Sequence, residues 1–174
     1  MSQTTPLFEI RMAEFDVADR DIFLADLRRI ARAHDGTTII FFDAENLAGM
    51  RHAEAAILHA LRSWGAGSAV ANSFEMEALL FASGSRQCSV ASSFGVHEGK
   101  NRSYICCCPP QEGIWEALAP LVRYVNDTVT VLTGKQRARL KDLFFISEEE
   151  IAAVGESKFT DLVLERVALL EVCR

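Results

Sequence analysis

The chain has 174 residues, of which 49% are hydrophobic and 24% are charged, and its formal net charge at pH 7 is −6. This length suits one domain with a sizeable core, so we expect a single domain over residues 1–174. The acidic balance excludes general adhesion to nucleic acid, which needs a basic face, but it permits a small local RNA site.

Two further classes are disfavoured by the sequence. No hydrophobic run is long enough to cross a membrane, and the first residues, MSQTTPLFEIR, lack the apolar core of a signal peptide. We therefore expect a cytoplasmic protein without membrane contact. Cys106, Cys107 and Cys108 are consecutive and no C-x-x-C pair occurs, so we expect buried cysteines in a strand, with no metal site and no cofactor.

The first part of the chain alternates strand and helix patterns. Apolar and polar residues alternate near the start, a β-branched and aromatic run TTIIFF follows, and Gly65 and Gly67 end an Ala-rich helix. The predicted elements are a strand at 8–12, a helix from Asp19 or Asp21 to about His34, a strand at 37–42, a helix at 48–64 and a short strand at 69–71.

The second part is dominated by helices. A helix beginning near Glu77 breaks at Ser83-Gly84-Ser85, and a second helix ends at Gly95. The remaining predicted elements are a strand at 102–108 and helices at 111–125, 134–144, 147–154 and 157–173. The fold class predicted from this order is α/β (α+β-like), a single helix-rich domain around a small mixed sheet.

The break between the two helices carries an unusual set of polar groups. Ser83, Gly84 and Ser85 are followed directly by Arg86 and Gln87. A guanidinium, an amide and two hydroxyls can bind an oxyanion or the edge of a base. The alternative is that Arg86 and Gln87 cap the free carbonyl groups of the preceding helix.

The last helix is apolar around most of its circumference. One stripe at helical spacing consists of Phe159, Leu162, Val163, Val167 and Leu170. Most of the remaining circumference is filled by Leu164, Ala168, Leu169 and Val172. Such a helix is either enclosed by its own domain or half covered by another protein, and the pattern alone favours neither.

Three blocks of sequence carry a family resemblance. They are IIFFDAENLAGMRHAEAAILHAL from Ile39, EALLFASGSRQCSVASSFGV from Glu77, and FFISEEEI from Phe144 with the later LVLERVALLEV. In this order they resemble the TPRKB family, the small accessory subunit of the KEOPS complex, in its archaeal form. Cys88 stands where the family usually has Ile, Ala78 stands where a large apolar residue is common, and residues 126–140 match no family segment.

The resemblance implies a subunit that is not itself an enzyme. Members of the family dock on the amino lobe of the small atypical kinase of the complex and stimulate it. Archaeal members also bind the single-stranded 3′ CCA end of tRNA, which recruits the substrate for threonylcarbamoyl-adenosine modification. The transferase subunit performs the chemistry, and this chain is expected to reach it only indirectly, through the kinase.

The expected site residues follow from this resemblance and from local charge. Between Ser83 and Tyr104 the chain carries three cations, Arg86, Lys100 and Arg102, against a single acid. The residues expected to bind RNA are Arg51, Glu77, Ser83, Gly84, Ser85, Arg86, Gln87, Lys100 and Arg102. Those expected to contact the kinase are Leu162, Val163, Arg166, Val167 and Leu170.

Two competing functions remain open at this stage. One is a purely structural adaptor that docks on the kinase without touching RNA, as the lack of a strong basic face permits. The other is a small cysteine-dependent enzyme, because Cys88 lies near the start of a helix, although no histidine sits in a recognisable constellation with it. His52, at the start of the Ala-rich helix, is expected to be structural.

Overall fold

A four-stranded antiparallel sheet forms the centre of the fold in the computed structural model, which describes residues 6–127 and 131–173. The strands are β1 (Glu9–Val17), β2 (Thr38–Asp43), β3 (Gly99–Cys108) and β4 (Arg123–Val125), in the order β2-β3-β1-β4. The predicted α/β class with its helix-rich domain is confirmed. The sheet itself is antiparallel throughout the described residues rather than mixed.

Helices cover both faces of this sheet. They are α1 (Arg20–Ala33), α2 (Met50–Gly65), α3 (Phe74–Ser83), α4 (Cys88–Ser92), α5 (Ile114–Leu118), α6 (Gly134–Phe144), α7 (Glu148–Val154) and α8 (Phe159–Val172). Side chains cap several of them. Asp19 accepts from two N–H groups of α1, and Ser73 Oγ accepts from the N–H group of Met76 at the start of α3. No helix in the described ranges combines the length and the apolar character needed to cross a membrane.

The strands separate two hydrophobic layers. Ile40, Phe42 and Cys106 belong to the larger layer, which α2, α3, α6 and α8 cover, whereas Phe41 and Cys107 belong to the layer under α1 and α5. The prediction of buried cysteines in a strand is therefore confirmed. Burial raises the pKa of the Cys107 thiol to about 12 and that of the Cys108 thiol to about 11, so both stay protonated at neutral pH.

Two predicted elements are wrong. The helix predicted over 111–125 is the short helix α5 followed by β4, because Pro120 has no N–H group with which to continue a helix. The short strand predicted at 69–71 does not form, because the N–H groups of Val70 and Ala71 bind a carboxylate of α3 instead of a neighbouring strand.

Candidate functional site

The predicted break at Ser83-Gly84-Ser85 is confirmed as the C-terminal cap of α3. Gly84 has a φ of 59°, and its N–H group donates to Phe81 O over 3.0 Å. The N–H group of Ser85 donates to Leu80 O over 3.2 Å, which completes a Schellman motif. Backbone groups thus bind the last carbonyl oxygens of α3.

This geometry leaves Arg86 and Gln87 free. Both residues are exposed, and neither side chain makes a hydrogen bond or an ion pair within residues 6–127 and 131–173. The alternative in which they cap the helix is therefore wrong. An exposed guanidinium and amide that the fold does not use remain available to a ligand.

Gly84 is also the point at which three helices meet. A Cβ atom on Gly84 would lie 3.3 Å from the ring of Phe144, at the end of α6, and 3.6 Å from the carbonyl oxygen of Arg166 in α8. The left-handed φ and the tight approach of the Phe144 ring both favour glycine at this position. The backbone of α3 can therefore approach α6 and α8 closely.

A cleft of about 690 Å³ opens beside this junction. This volume lies in the usual range for ligand sites. The lining combines apolar and polar groups from three parts of the chain, which include Ser83, Gly84, Ser85, Gln87, Asp142, Phe144, Phe145, Arg166, Leu169 and Leu170. Four of the residues expected to bind RNA and two of those expected to bind the kinase thus line one cleft.

Phe145, which sequence reasoning missed, stands at this cleft with 87% of its surface exposed. It ends α6 with a φ of 52°, and its N–H group donates to Asp142 O over 3.4 Å. Glycine normally occupies this left-handed position, so an aromatic residue there is unusual. The adjacent Phe144 is only 3% exposed, and the FF pair in the sequence does not reveal which ring faces solvent.

Arg166 forms part of the cleft wall and is bound within the chain. Its Nε group donates to Phe144 O over 3.3 Å, and its Nη2 group pairs with the carboxylate of Glu150. The bond from Arg166 and that from the N–H group of Ser147 hold the pKa of Glu150 below its usual range. Arg166 therefore fastens α8 to the end of α6 and to α7.

His52 supports the cleft from behind, and its expected structural role is confirmed. The ring is fully buried, its Nδ1 accepts from the N–H group of Ala48 over 3.0 Å, and its Nε2 donates to Ala82 O over 2.8 Å. Burial lowers its pKa to about 4. The ring also packs edge-on against Phe144 at 5.5 Å between centroids. A neutral histidine thus holds the end of α3 in place.

The prediction that Glu77 contacts RNA is wrong. Its side chain is fully buried, and its carboxylate accepts from Ser63 Oγ over 2.7 Å. The same carboxylate accepts from the N–H groups of Val70 and Ala71 over 3.0 Å and 2.9 Å. Glu77 therefore holds the loop after α2, and it does not line the cleft.

The expected basic patch is not continuous. Lys100 and Arg102 line a different cleft, and this second cleft shares no lining residue with the first. Glu14, Asp16 and other acids line it as well. Arg102 Nε lies 3.9 Å from a Glu14 oxygen. Arg51 is exposed and pairs with Asp161 over 3.4 Å, and it also lies outside the cleft lining. These three cations are therefore not gathered around Arg86.

Most of the expected kinase-contact residues are core residues. Leu162, Val163, Val167 and Leu170 are between 0% and 7% exposed, because they face the larger hydrophobic layer, so their prediction as an exposed docking surface is wrong. The exposed apolar side chains of α8 are Leu169 at 43% and Val172 at 80%.

The alternative enzyme finds no added support in the geometry. Cys88 is exposed at the first position of α4, and within the described residues no histidine bonds to its thiol. The same residues contain no group of three or more His, Cys, Asp and Glu that could hold a metal ion.

The chain matches no protein-family model. No curated protein shows significant similarity to it.

Proposed function

We propose that this chain is the non-catalytic subunit that its sequence resembles, one that binds the 3′ CCA end of tRNA and docks on the small kinase of a KEOPS-type complex. One observation carries the proposal. The three sequence blocks of the resemblance pack together beside a single cleft: Gly84 from the second block and Phe144 and Arg166 from the third line it, and His52 from the first supports it from behind.

The chemistry of the cleft suits a short single strand of RNA. Such strands are bound by stacking on aromatic rings, by hydrogen bonds to base edges and by cationic contacts to phosphate. Phe145 offers an exposed ring, and Gln87 and the adjacent Arg86 offer an amide and a guanidinium that have no partner within residues 6–127 and 131–173. The limited volume and the acidic balance of the chain both favour a tail over a duplex.

The kinase contact is assigned to the exposed end of α8. Leu169 and Val172 are three residues apart and therefore lie on the same side of the helix. Exposed apolar side chains of this kind supply the centre of a protein interface once a partner excludes water from them. Because Leu169 also lines the cleft, the kinase and the RNA tail would bind side by side.

The test compares intact tRNA with tRNA that lacks its CCA end, using the isolated protein at one fixed salt concentration. Binding that depends on the CCA end is the expected result. Equal binding to both RNAs, or no binding to either, would contradict the RNA half of the proposal. The purely structural kinase adaptor would then remain, and retention of the kinase by the protein would test it.

A further inference from the structure

Asp142 places an unpaired acceptor in the cleft. It is exposed in the last turn of α6, and its carboxylate makes no hydrogen bond or ion pair within the residues that the structure describes. A negative charge in the last turn of a helix opposes the helix dipole, so this position does not favour the fold. The fold therefore gives no reason for an acid at this point of the cleft.

Asp142 and Phe145 share one helical turn. The carbonyl oxygen of Asp142 accepts from the N–H group of Phe145 over 3.4 Å, and both residues line the cleft. A carboxylate repels a phosphate but accepts readily from an amino group on a base. The pair therefore suits a stacked base whose amino edge faces Asp142 and whose phosphate points away from it.

We infer that Phe145 stacks on a base of the RNA tail and that Asp142 selects adenine or cytosine over uracil by accepting from the exocyclic amino group. This inference rests on the proposed function and names the specificity within the same site. Uracil carries a carbonyl oxygen where cytosine carries its amino group, so its lone pairs would face the carboxylate. Gln87, which also lines the cleft, can donate or accept and therefore does not exclude uracil by itself.

The test measures the Kd of tRNA minihelices with different tails at one fixed salt concentration. The tails are CCA, CCU, UUU and CC followed by purine riboside, which lacks the amino group of adenine. We expect the wild-type protein to bind CCA about tenfold more tightly than UUU, with the single substitutions falling between them.

Two variants separate the roles. Asp142→Asn replaces the acceptor by an amide that can also donate to a carbonyl, so the preference for CCA over UUU should shrink severalfold. Glu165→Gln removes the same charge from an exposed position outside the cleft lining and should leave the preference unchanged. Phe145→Ala should weaken all four tails alike by about tenfold, and Phe145→Trp should restore the affinity.

The outcomes distinguish this inference from the function on which it rests. If Asp142→Asn discriminates among the tails as the wild type does, the selection is overturned while tail binding stands. If Phe145→Ala lowers kinase binding and leaves RNA affinity unchanged, the cleft is a protein-docking site and the inference is overturned as well. If the wild-type protein binds no tail, the proposed RNA function and the inference both fail.

Discussion

The imidazole of His52 donates from Nε2 to the carbonyl oxygen of Ala82 over 2.8 Å, which joins two residues that are 30 positions apart. Its Nδ1 accepts from the N–H group of Ala48, so both bonds require the neutral ring with its proton on Nε2. Ala82 precedes Ser83 and Gly84 at the end of α3. The cleft wall therefore depends on a histidine that stays uncharged.

This arrangement predicts a loss of stability in acid. The folded protein holds His52 at a pKa of about 4, below the ordinary value of 6.5, so the unfolded chain binds the proton more readily. The contribution of His52 to the free energy of unfolding is complete above about pH 6.5 and falls as the pH drops towards 4. About 2 kcal/mol of that free energy is lost by about pH 5. Urea unfolding at about pH 7.5, 6 and 5 measures it.

The variant His52→Gln isolates this group from the other titrating residues. Glutamine can offer one donor and one acceptor without titrating, so the variant should lose less stability between about pH 7.5 and 5 than the wild type. The matched control is His34→Gln, at a half-buried histidine that makes no ion pair within the described residues and whose Nδ1 lies 2.9 Å from Ile30 O. The same pH dependence in the wild type and in His52→Gln would contradict the assignment.

A second prediction concerns Glu77, whose buried carboxylate accepts from Ser63 Oγ and from the N–H groups of Val70 and Ala71. Glu77→Ala would leave the N–H groups of Val70 and Ala71 without their acceptor and should lower the free energy of unfolding by about 3 kcal/mol. The exposed Glu54→Ala on α2 should change it by less than about 0.5 kcal/mol. The folded Glu77→Ala protein should bind RNA with the same affinity as the wild type. A loss of RNA affinity in the folded variant would show that Glu77 does contribute to RNA binding.

The sequence pattern was sufficient where one local signal dominates. The start of α1 at Asp19 or Asp21, the helix over 147–154, the buried TTIIFF strand and the helix break at Gly84 depend on neighbouring residues, and each forms close to its predicted place. The pattern could not tell which side of α8 is covered, because that depends on the packing of distant helices. For this reason Leu162 and Val163 were expected at a surface and lie in the core.

The site was predicted in part for a similar reason. The loop from Ser83 to Gln87 is contiguous, so the sequence alone brings these residues together. Lys100 and Arg102 are near them in sequence, but β3 carries them to another cleft. Phe145 and Asp142 lie far away in sequence and reach the loop because the end of α6 packs beside Gly84 through Phe144.

A third prediction compares two exposed cations. Neither Arg86 nor Lys100 makes an ion pair within the described ranges. Arg86 stands between two residues that line the first cleft, Ser85 and Gln87, whereas Lys100 lines the other cleft. Arg86→Ala should weaken binding of tRNA about tenfold and lower the slope of log K against log salt by about 1, with no change in stability. Lys100→Ala should leave affinity within about twofold. Equal effects of the two variants would indicate diffuse attraction instead of a site.

A fourth prediction concerns kinase docking. Arg166→Glu is a poor probe, because Arg166 bonds to Phe144 O and Glu150 and its replacement would place two carboxylates together. Val172→Glu alters a side chain that is 80% exposed and should leave stability within about 0.5 kcal/mol of the wild type. It should weaken kinase binding about tenfold or more. Leu7→Glu, at a 67% exposed position outside α8, is the control. Undiminished kinase binding by Val172→Glu would exclude this end of α8.

A fifth prediction separates the stability of Phe145 from its function. A φ of 52° is costly for any residue with a Cβ atom, so Phe145→Gly should raise the free energy of unfolding by about 1 kcal/mol. Removing the side chain itself costs little stability, because 87% of it is exposed and it buries little apolar surface. Phe145→Ala keeps the backbone cost and should leave stability almost unchanged. Both variants should lose RNA affinity to a similar extent, because both lack the ring. Thermal unfolding and RNA titration of the two proteins check this, and full RNA affinity in the stabilised glycine variant would show that the exposed ring serves no ligand.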